Sequence, residues 1–356
     1  MSPRVRKSPL ARALQRAATS MTRHAFHAGA KAAGKAVART VDAMAAPYRP
    51  PPGAGDWIAG QAIGPAGLRR FFLFRPAGVR DDERRPLLVM LHGCGQTAAS
   101  FARSTRMNRL AARERFLVLY PEQDRTANPQ GCWNWYDTRN YHADAEAATL
   151  MAAIDQACLL YPVDRDAVAV AGLSAGASMA GLLAVAHPQR FRALAMHAGV
   201  PPGHAHSAAG ALAAMHGRRL PAAEFARAGT HALAPDGGPG NWPPLLVVHG
   251  RDDLVVSPRN ARAAAAQWAG ALGAVPGEAR LVQRGARRAM TVTDFRRGRQ
   301  LCVRLCEVDG LGHAWSGGQA GEAFSDASGP DASRLIWRFV AAQLPGAEGV
   351  RRRARA

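Results

Sequence analysis

Val168-Ala-Val-Ala-Gly-Leu-Ser174-Ala-Gly-Ala-Ser-Met-Ala-Gly-Leu-Leu-Ala-Val-Ala186 is the stretch on which the reading of the fold turns. Its first four residues are a short apolar run suited to a strand buried on both faces. Ser178–Ala186 is a helical run that closes just before Pro188. Between them Gly172-Leu173-Ser174-Ala175-Gly176 forms a GxSxG sequence. At a strand-to-helix turn that pattern forces its serine into a tight backbone bend, with small neighbours that let strand and helix approach. The hydroxyl of Ser174 is then presented at the start of a helix. The helix dipole and the backbone amide of Ala175 there favour a developing negative charge.

Outward from this motif, short β-type runs alternate with helical ones. The expected strands are Phe71–Phe74, Leu87–Leu91, Phe116–Tyr120, Val168–Ala171, Ala193–Met196, Leu245–Val248 and Cys302–Val308, with helix-length segments such as Ala143–Leu160 and Ala261–Ala271 between them. Strands apolar on both faces, separated by helices, predict an α/β protein with a mostly parallel sheet covered on both sides. The stretch 200–243, rich in Ala, Gly, His and Pro, breaks the rhythm and reads as a lid or insertion beside the site.

A serine hydroxyl is a poor nucleophile at neutral pH and needs a base, itself oriented by a carboxylate. Behind a GxSxG turn these follow in the order Ser, Asp, His. The run Leu245–Val248 leads into His249-Gly-Arg-Asp252-Asp253, which supplies an acid at a strand's carboxyl end, and Cys302–Val308 leads into Asp309-Gly-Leu-Gly-His313-Ala-Trp315. All three candidates therefore sit at the edge where open α/β sheets place their sites. The second oxyanion donor is expected in Leu91-His-Gly-Cys94-Gly-Gln, with the Cys94 amide as donor. The Cys94 side chain has three readings: a free thiol, a packing residue, or a partner for Cys132. Cys302 and Cys306, four apart on one strand, lie too far apart to bridge.

These motifs together resemble the polyhydroxybutyrate depolymerase family of esterases, from about Asp56 to Gln343. The resemblance is carried in order by Leu91-His-Gly-Cys-Gly-Gln-Thr, Phe116-Leu-Val-Leu-Tyr-Pro-Glu, Cys132-Trp-Asn-Trp, Ala171-Gly-Leu-Ser-Ala-Gly-Ala-Ser-Met-Ala, His197-Ala-Gly, His249-Gly-x-x-Asp253, Gly312-His-Ala-Trp-Ser-Gly-Gly and Gly329-Pro-Asp-Ala-Ser-Arg. It implies an α/β-hydrolase fold and hydrolysis of 3-hydroxyacyl esters by Ser174, Asp253 and His313, with Asp253 favoured over Asp252 by the family spacing. Broader feruloyl and acetylxylan esterases share the resemblance. Trp133, Trp135 and Trp315, beside motif residues, are expected either to line an apolar acyl groove or to pack internally. The chemistry requires no metal or organic cofactor.

The 356 residues carry a net charge of +20, but ten basic side chains and one acid lie in residues 1–50, and four arginines and one glutamate in 346–356. This distribution argues against a general nucleic-acid-binding surface. Residues 1–55 read as a basic, Ala-rich helical or disordered arm ending in a Pro-rich linker, 56–345 as the catalytic domain and 346–356 as an Arg-rich tail. Arg12, Arg16, Arg23, His27, Lys31, Lys35 and Arg39 would give the arm a basic stripe able to adsorb to a granule or anionic surface. A non-enzymatic alternative makes the protein a binder through this arm, with an inactive hydrolase domain. No apolar stretch is long enough for a membrane-spanning helix. The absence of a recognisable signal favours a cytoplasmic or granule-associated protein, with an extracellular one as the alternative.

Overall fold

The computed structural model describes residues 51–218 and 241–345. The chain divides into Met1–Arg49 and Pro50–Ala356. The basic arm, the Arg-rich tail and residues 219–240 of the expected lid lie outside the described residues.

The strands β1 (Gly55–Gly64), β2 (Gly67–Pro76), β3 (Arg85–Leu91), β4 (Leu117–Pro121), β5 (Val163–Leu173), β6 (Leu194–His197) and β7 (Leu245–Gly250) are followed by β8 (Val275–Pro276), β9 (Arg280–Val282), β10 (Met290–Arg297) and β11 (Gln300–Val308). They form one sheet ordered β1-β2-β4-β3-β5-β6-β7-β11-β10-β8, with β9 also paired to β10. From β4 to β11 every pairing is parallel, and the pairings outside that block are antiparallel. The fold is an α/β-hydrolase fold.

Along β3 the side chains alternate between two cores, Leu87, Val89 and Leu91 on one face and Leu88 and Met90 on the other. The first core is capped by α3 (His142–Leu160), α4 (Ala175–Ala186) and α6 (Arg259–Leu272), and the second by α1 (Ala98–Thr105), α2 (Met107–Glu114) and α7 (Ala332–Ala341). Each Val or Leu fully buried there contributes about 1.5–3 kcal/mol relative to exposure. Such strands must be apolar throughout, which is why they read clearly in the sequence. The flanking strands β1 and β10 were not expected. β10 begins by alternating buried and half-buried residues, and β1 is half-buried or exposed apart from Ala62, in each case a weaker signal than a continuous apolar run.

A short helix, α5 (Ala208–Met215), capped by the Ser207 hydroxyl, stands within the expected insertion. Two further strands, β12 (Trp315–Ser316) and β13 (Ser325–Asp326), pair apart from the main sheet. No described helix is long and apolar enough to cross a membrane.

Candidate active site

Ser174 sits between β5 and α4 with φ 55° and ψ −122°, a conformation that non-glycine residues rarely adopt. Its flanking glycines explain how the bend is tolerated. A Cβ on Gly172 would lie 2.3 Å from the Gly176 backbone, and one on Gly176 would lie 2.1 Å from the Leu91 carbonyl oxygen. The turn is pinned by the Ser174 N–H donating to the His197 carbonyl at 2.9 Å and by Ser178 N–H donating to the Ser174 carbonyl at 3.0 Å.

The other two candidates come from loops that follow β11 and β7. His313 Nε2 is 3.0 Å from Ser174 Oγ, and its Nδ1 is 2.8 Å from Asp253 Oδ2. A carboxylate only accepts, so His313 Nδ1 carries the hydrogen and Nε2 is the bare nitrogen facing the serine. The loops cross closely: Asp252 N–H donates to the Leu311 carbonyl at 3.1 Å, and a Cβ on Gly250 would lie 2.0 Å from that carbonyl oxygen. Asp253 is buried, and burial alone would raise its carboxyl pKa. Hydrogen bonds from His249, His313 and the Val256 amide outweigh that and hold it well below the usual range. Asp252, the alternative acid, is exposed, and it is Asp253 that meets His313.

Cys94 lies on the loop after β3. A Cβ on Gly93 would come within 3.6 Å of Ser174 Cβ, so this loop runs directly against the serine. Of the three readings for the Cys94 sulfur, the structure shows the disulfide to Cys132. The loop is held further by Gly95 N–H to the Gln130 carbonyl at 3.0 Å, Gly93 N–H to Gln96 Oε1 at 2.9 Å and Trp133 Nε1–H to the His92 carbonyl at 3.0 Å. The His92 ring is buried, accepts from Gln123 N–H at Nε2 and donates from Nδ1 to the Gly93 carbonyl. Burial lowers its pKa to about 4, with the Arg69 and Arg125 charges adding to the effect, so at neutral pH it is an uncharged brace.

Ser174, Ala175, His313, Gly93 and Cys94 line one cavity of about 450 Å³, within the range of small-molecule sites. Its walls are mostly apolar and include Trp135, Tyr136, Ala211, Met215, Val256 and Phe324. Of the three tryptophans, only Trp135 takes the groove reading. Trp133 and Trp315 are fully buried and do not line the cavity. Trp133 braces the loop after β3, and Trp315 donates from Nε1 to Ser333 Oγ at 3.1 Å. The α5 residues and Phe324 were missed, since isolated apolar residues carry no local mark of which cavity they enter. Among the described residues no group of three or more His, Cys, Asp or Glu side chains is arranged to hold a metal ion. Cys158, Cys302 and Cys306 are buried free thiols, and burial pushes Cys306 up to about 12, far from a reactive thiolate.

The model of the family described as esterase PHB depolymerase matches residues 70–294, more than half of the chain. The chain belongs to the esterase PHB depolymerase family. Poly(3-hydroxyalkanoate) depolymerase C of Paucimonas lemoignei is 33% identical over 199 residues, covering 54% of this chain and 46% of that protein. Feruloyl esterase B of Neurospora crassa is 31% identical over 198 residues, covering 52% of this chain and 65% of that protein. Both matches thus span less than two thirds of the relative's length. Among solved structures, an acetyl xylan esterase from Aspergillus awamori superposes with a TM-score of 0.60 at 20% identity, covering 73% of this chain and 94% of that one, a likeness of fold. Ser174 and Asp253 of this esterase PHB depolymerase family member fall inside the matched residues, and His313 lies beyond them.

Proposed function

We propose that this protein is a serine esterase that cleaves carboxylic esters through an acyl-enzyme, with poly(3-hydroxybutyrate) or its oligomers as the substrate class. The observation that carries the reading is the unbroken hydrogen-bonded line Ser174, His313, Asp253 at the wall of an apolar cavity. The 3.0 Å from Ser174 Oγ to His313 Nε2 is within proton-transfer reach, so His313 takes the serine proton as Oγ attacks the ester carbonyl. Asp253 holds the ring in the tautomer that leaves Nε2 bare and stabilises the imidazolium. The amides of Cys94 and Ala175 are assigned to the oxyanion, whose charge develops beside the start of α4. His313 then protonates the leaving alcohol and activates water for deacylation.

The acyl group is assigned to the apolar wall of Trp135, Ala211, Met215 and Val256. Leu212, Val255 and Phe324, which also line the cavity, are exposed, a rim suited to an apolar polyester. The likeness to a poly(3-hydroxyalkanoate) depolymerase supports the polyester reading, and the likeness to a feruloyl esterase supports a broader one. Side-by-side rates on amorphous polyhydroxybutyrate, hydroxybutyrate oligomers, feruloyl esters and acetylated xylan separate the two. The reaction class is tested by Ser174→Ala with p-nitrophenyl butyrate: the expected result is loss of turnover in a folded protein, and unchanged turnover refutes it. The Cys94–Cys132 disulfide favours an oxidising compartment over the cytoplasm. Export of the full chain into the periplasm or medium, followed by fractionation, tests that reading.

A further inference from the structure

His249 is the last residue but one of β7, four positions before Asp253, with its side chain entirely buried. Its Nε2 is 2.8 Å from the Val256 carbonyl oxygen and 3.3 Å from Asp253 Oδ2. Both partners only accept, so Nε2 must carry the hydrogen, and one N–H is shared between the carboxylate and the end of the loop that carries it. The other ring nitrogen, Nδ1, is buried without a partner among the described residues, so the ring is bound through Nε2 alone.

The Asp253 carboxylate is thereby fully subscribed. Oδ1 accepts from the Val255 and Val256 amides at 2.9 and 2.8 Å, and Oδ2 accepts from His313 and His249. A carboxylate offers about four acceptor sites, and here a donor faces each of them. The titratable groups around it are His313 from the loop after β11 and His249 on β7, with His197 at the end of the neighbouring strand β6. His197 is itself buried, stacked on Trp315, and accepts from Ser316 N–H.

We propose that His249 is a positioning residue for the triad acid: its single N–H fixes the rotamer of Asp253 and competes with His313 for Oδ2, setting how strongly Asp253 holds the imidazole. The proposal rests on the serine-esterase reading for its catalytic consequence, and on the geometry alone for the strength of the His313–Asp253 bond. Removing the donor leaves Oδ2 to His313 alone. That bond tightens, the imidazolium gains stability, and the acid limb of the pH profile moves upward while Asp253 loses its fixed rotamer. A merely structural role predicts something different. Val256 lines the cavity, so simple loosening of its loop would raise KM.

The test compares full-length His249→Leu, which lacks the donor, with His249→Gln, whose amide N–H reaches similarly far. For p-nitrophenyl butyrate, His249→Leu is expected to lose about tenfold to a hundredfold in kcat, the range for one hydrogen bond to a charged group, with KM within twofold. The acid limb of kcat/KM shifts to higher pH, and His249→Gln restores most of kcat and the wild-type limb. The low-field proton resonance of His313 Nδ1–H is expected to move downfield in His249→Leu and to stay in place in His249→Gln. A folded His249→Leu with unchanged kcat, acid limb and resonance overturns the proposal. So does a loss that appears in KM and is not rescued by His249→Gln. If His249→Leu does not fold, His249→Asn, which is too short to reach Oδ2, is compared with His249→Gln, and identical profiles and resonances overturn the proposal. Because the resonance needs no turnover, a wild-type protein that hydrolyses no ester would sink the esterase reading, while a shift of the resonance in His249→Leu that is absent in His249→Gln would leave the role of His249 standing.

Discussion

Replacing Cys94 and Cys132 together by serine separates two contributions of the disulfide, one to stability and one to chemistry. The bridge closes a loop across 38 positions, and on the loop-closure model a loop of that size restrains the unfolded chain by about 4 kcal/mol. Unfolding entropy of about 2.1 cal/mol/K per residue over roughly 300 residues converts this to a drop of about 6 °C in Tm. The chemical effect is expected to be partial. Loss of one oxyanion donor costs about 10²–10³ in kcat, but the Cys94 amide stays anchored through Gly95 to Gln130, Gly93 to Gln96 and Trp133 to His92. The expected fall in kcat is therefore about tenfold, with KM little changed, because the donor acts on charge that exists only in the transition state. Thermal melts followed by circular dichroism and steady-state hydrolysis of p-nitrophenyl butyrate measure the two effects on the same samples. A double variant that melts with the wild type refutes the loop-closure argument. One that melts lower yet keeps full kcat refutes the argument that the disulfide, beyond those three anchors, positions the Cys94 amide for the oxyanion.

Two other outcomes follow from the same geometry. His92 and His197 are buried and held uncharged, their pKa values lowered by burial to about 4 and about 3. The unfolded chain therefore takes up protons that the folded one refuses: their contribution is complete above the unfolded value near 6.5 and is lost as pH falls toward 4, at up to about 3 kcal/mol for His92. Tm should fall steeply between pH 6.5 and 4 and less so in His92→Gln; a flat wild-type curve across that window contradicts the buried, neutral assignment. Ala211→Phe places a ring in the 450 Å³ cavity and is expected to lower kcat/KM for p-nitrophenyl octanoate about tenfold more than for the acetate. An equal effect on both esters would place the acyl chain elsewhere.

What could be read from the chain alone depended on whether a residue's role is local. Ser174 and its flanking glycines are legible because the pattern gathers them into five residues, although only one of the two constraints is local: a side chain at 172 would strike the Gly176 backbone 2.3 Å away, whereas one at 176 would strike the Leu91 carbonyl oxygen on β3 at 2.1 Å. The central strands are legible because burial on both faces demands an unbroken apolar run, as in Leu87–Leu91. His313 required only that a chemical type stand at a strand's end, whereas the choice of Asp253 over the adjacent Asp252 needed the family spacing as well. The tryptophans were not decidable, because the same indole beside a motif can face the cavity, as Trp135 does, or brace the loop from behind, as Trp133 does.

His249 shows the limit most clearly. Its place in the sequence marks it as part of a strand-end motif, but its function lies in a hydrogen shared between Val256, three positions past Asp253, and the carboxylate that grips His313, sixty residues further on. No periodicity records such a bond. What the sequence does record is the glycine that follows it: a Cβ on Gly250 would lie 2.0 Å from the Leu311 carbonyl oxygen, so only glycine lets the loop bearing His313 pass closely enough for Asp253 to reach both histidines. The His-Gly pair is therefore one device, in which the glycine admits the second loop and the histidine fixes the carboxylate that meets it.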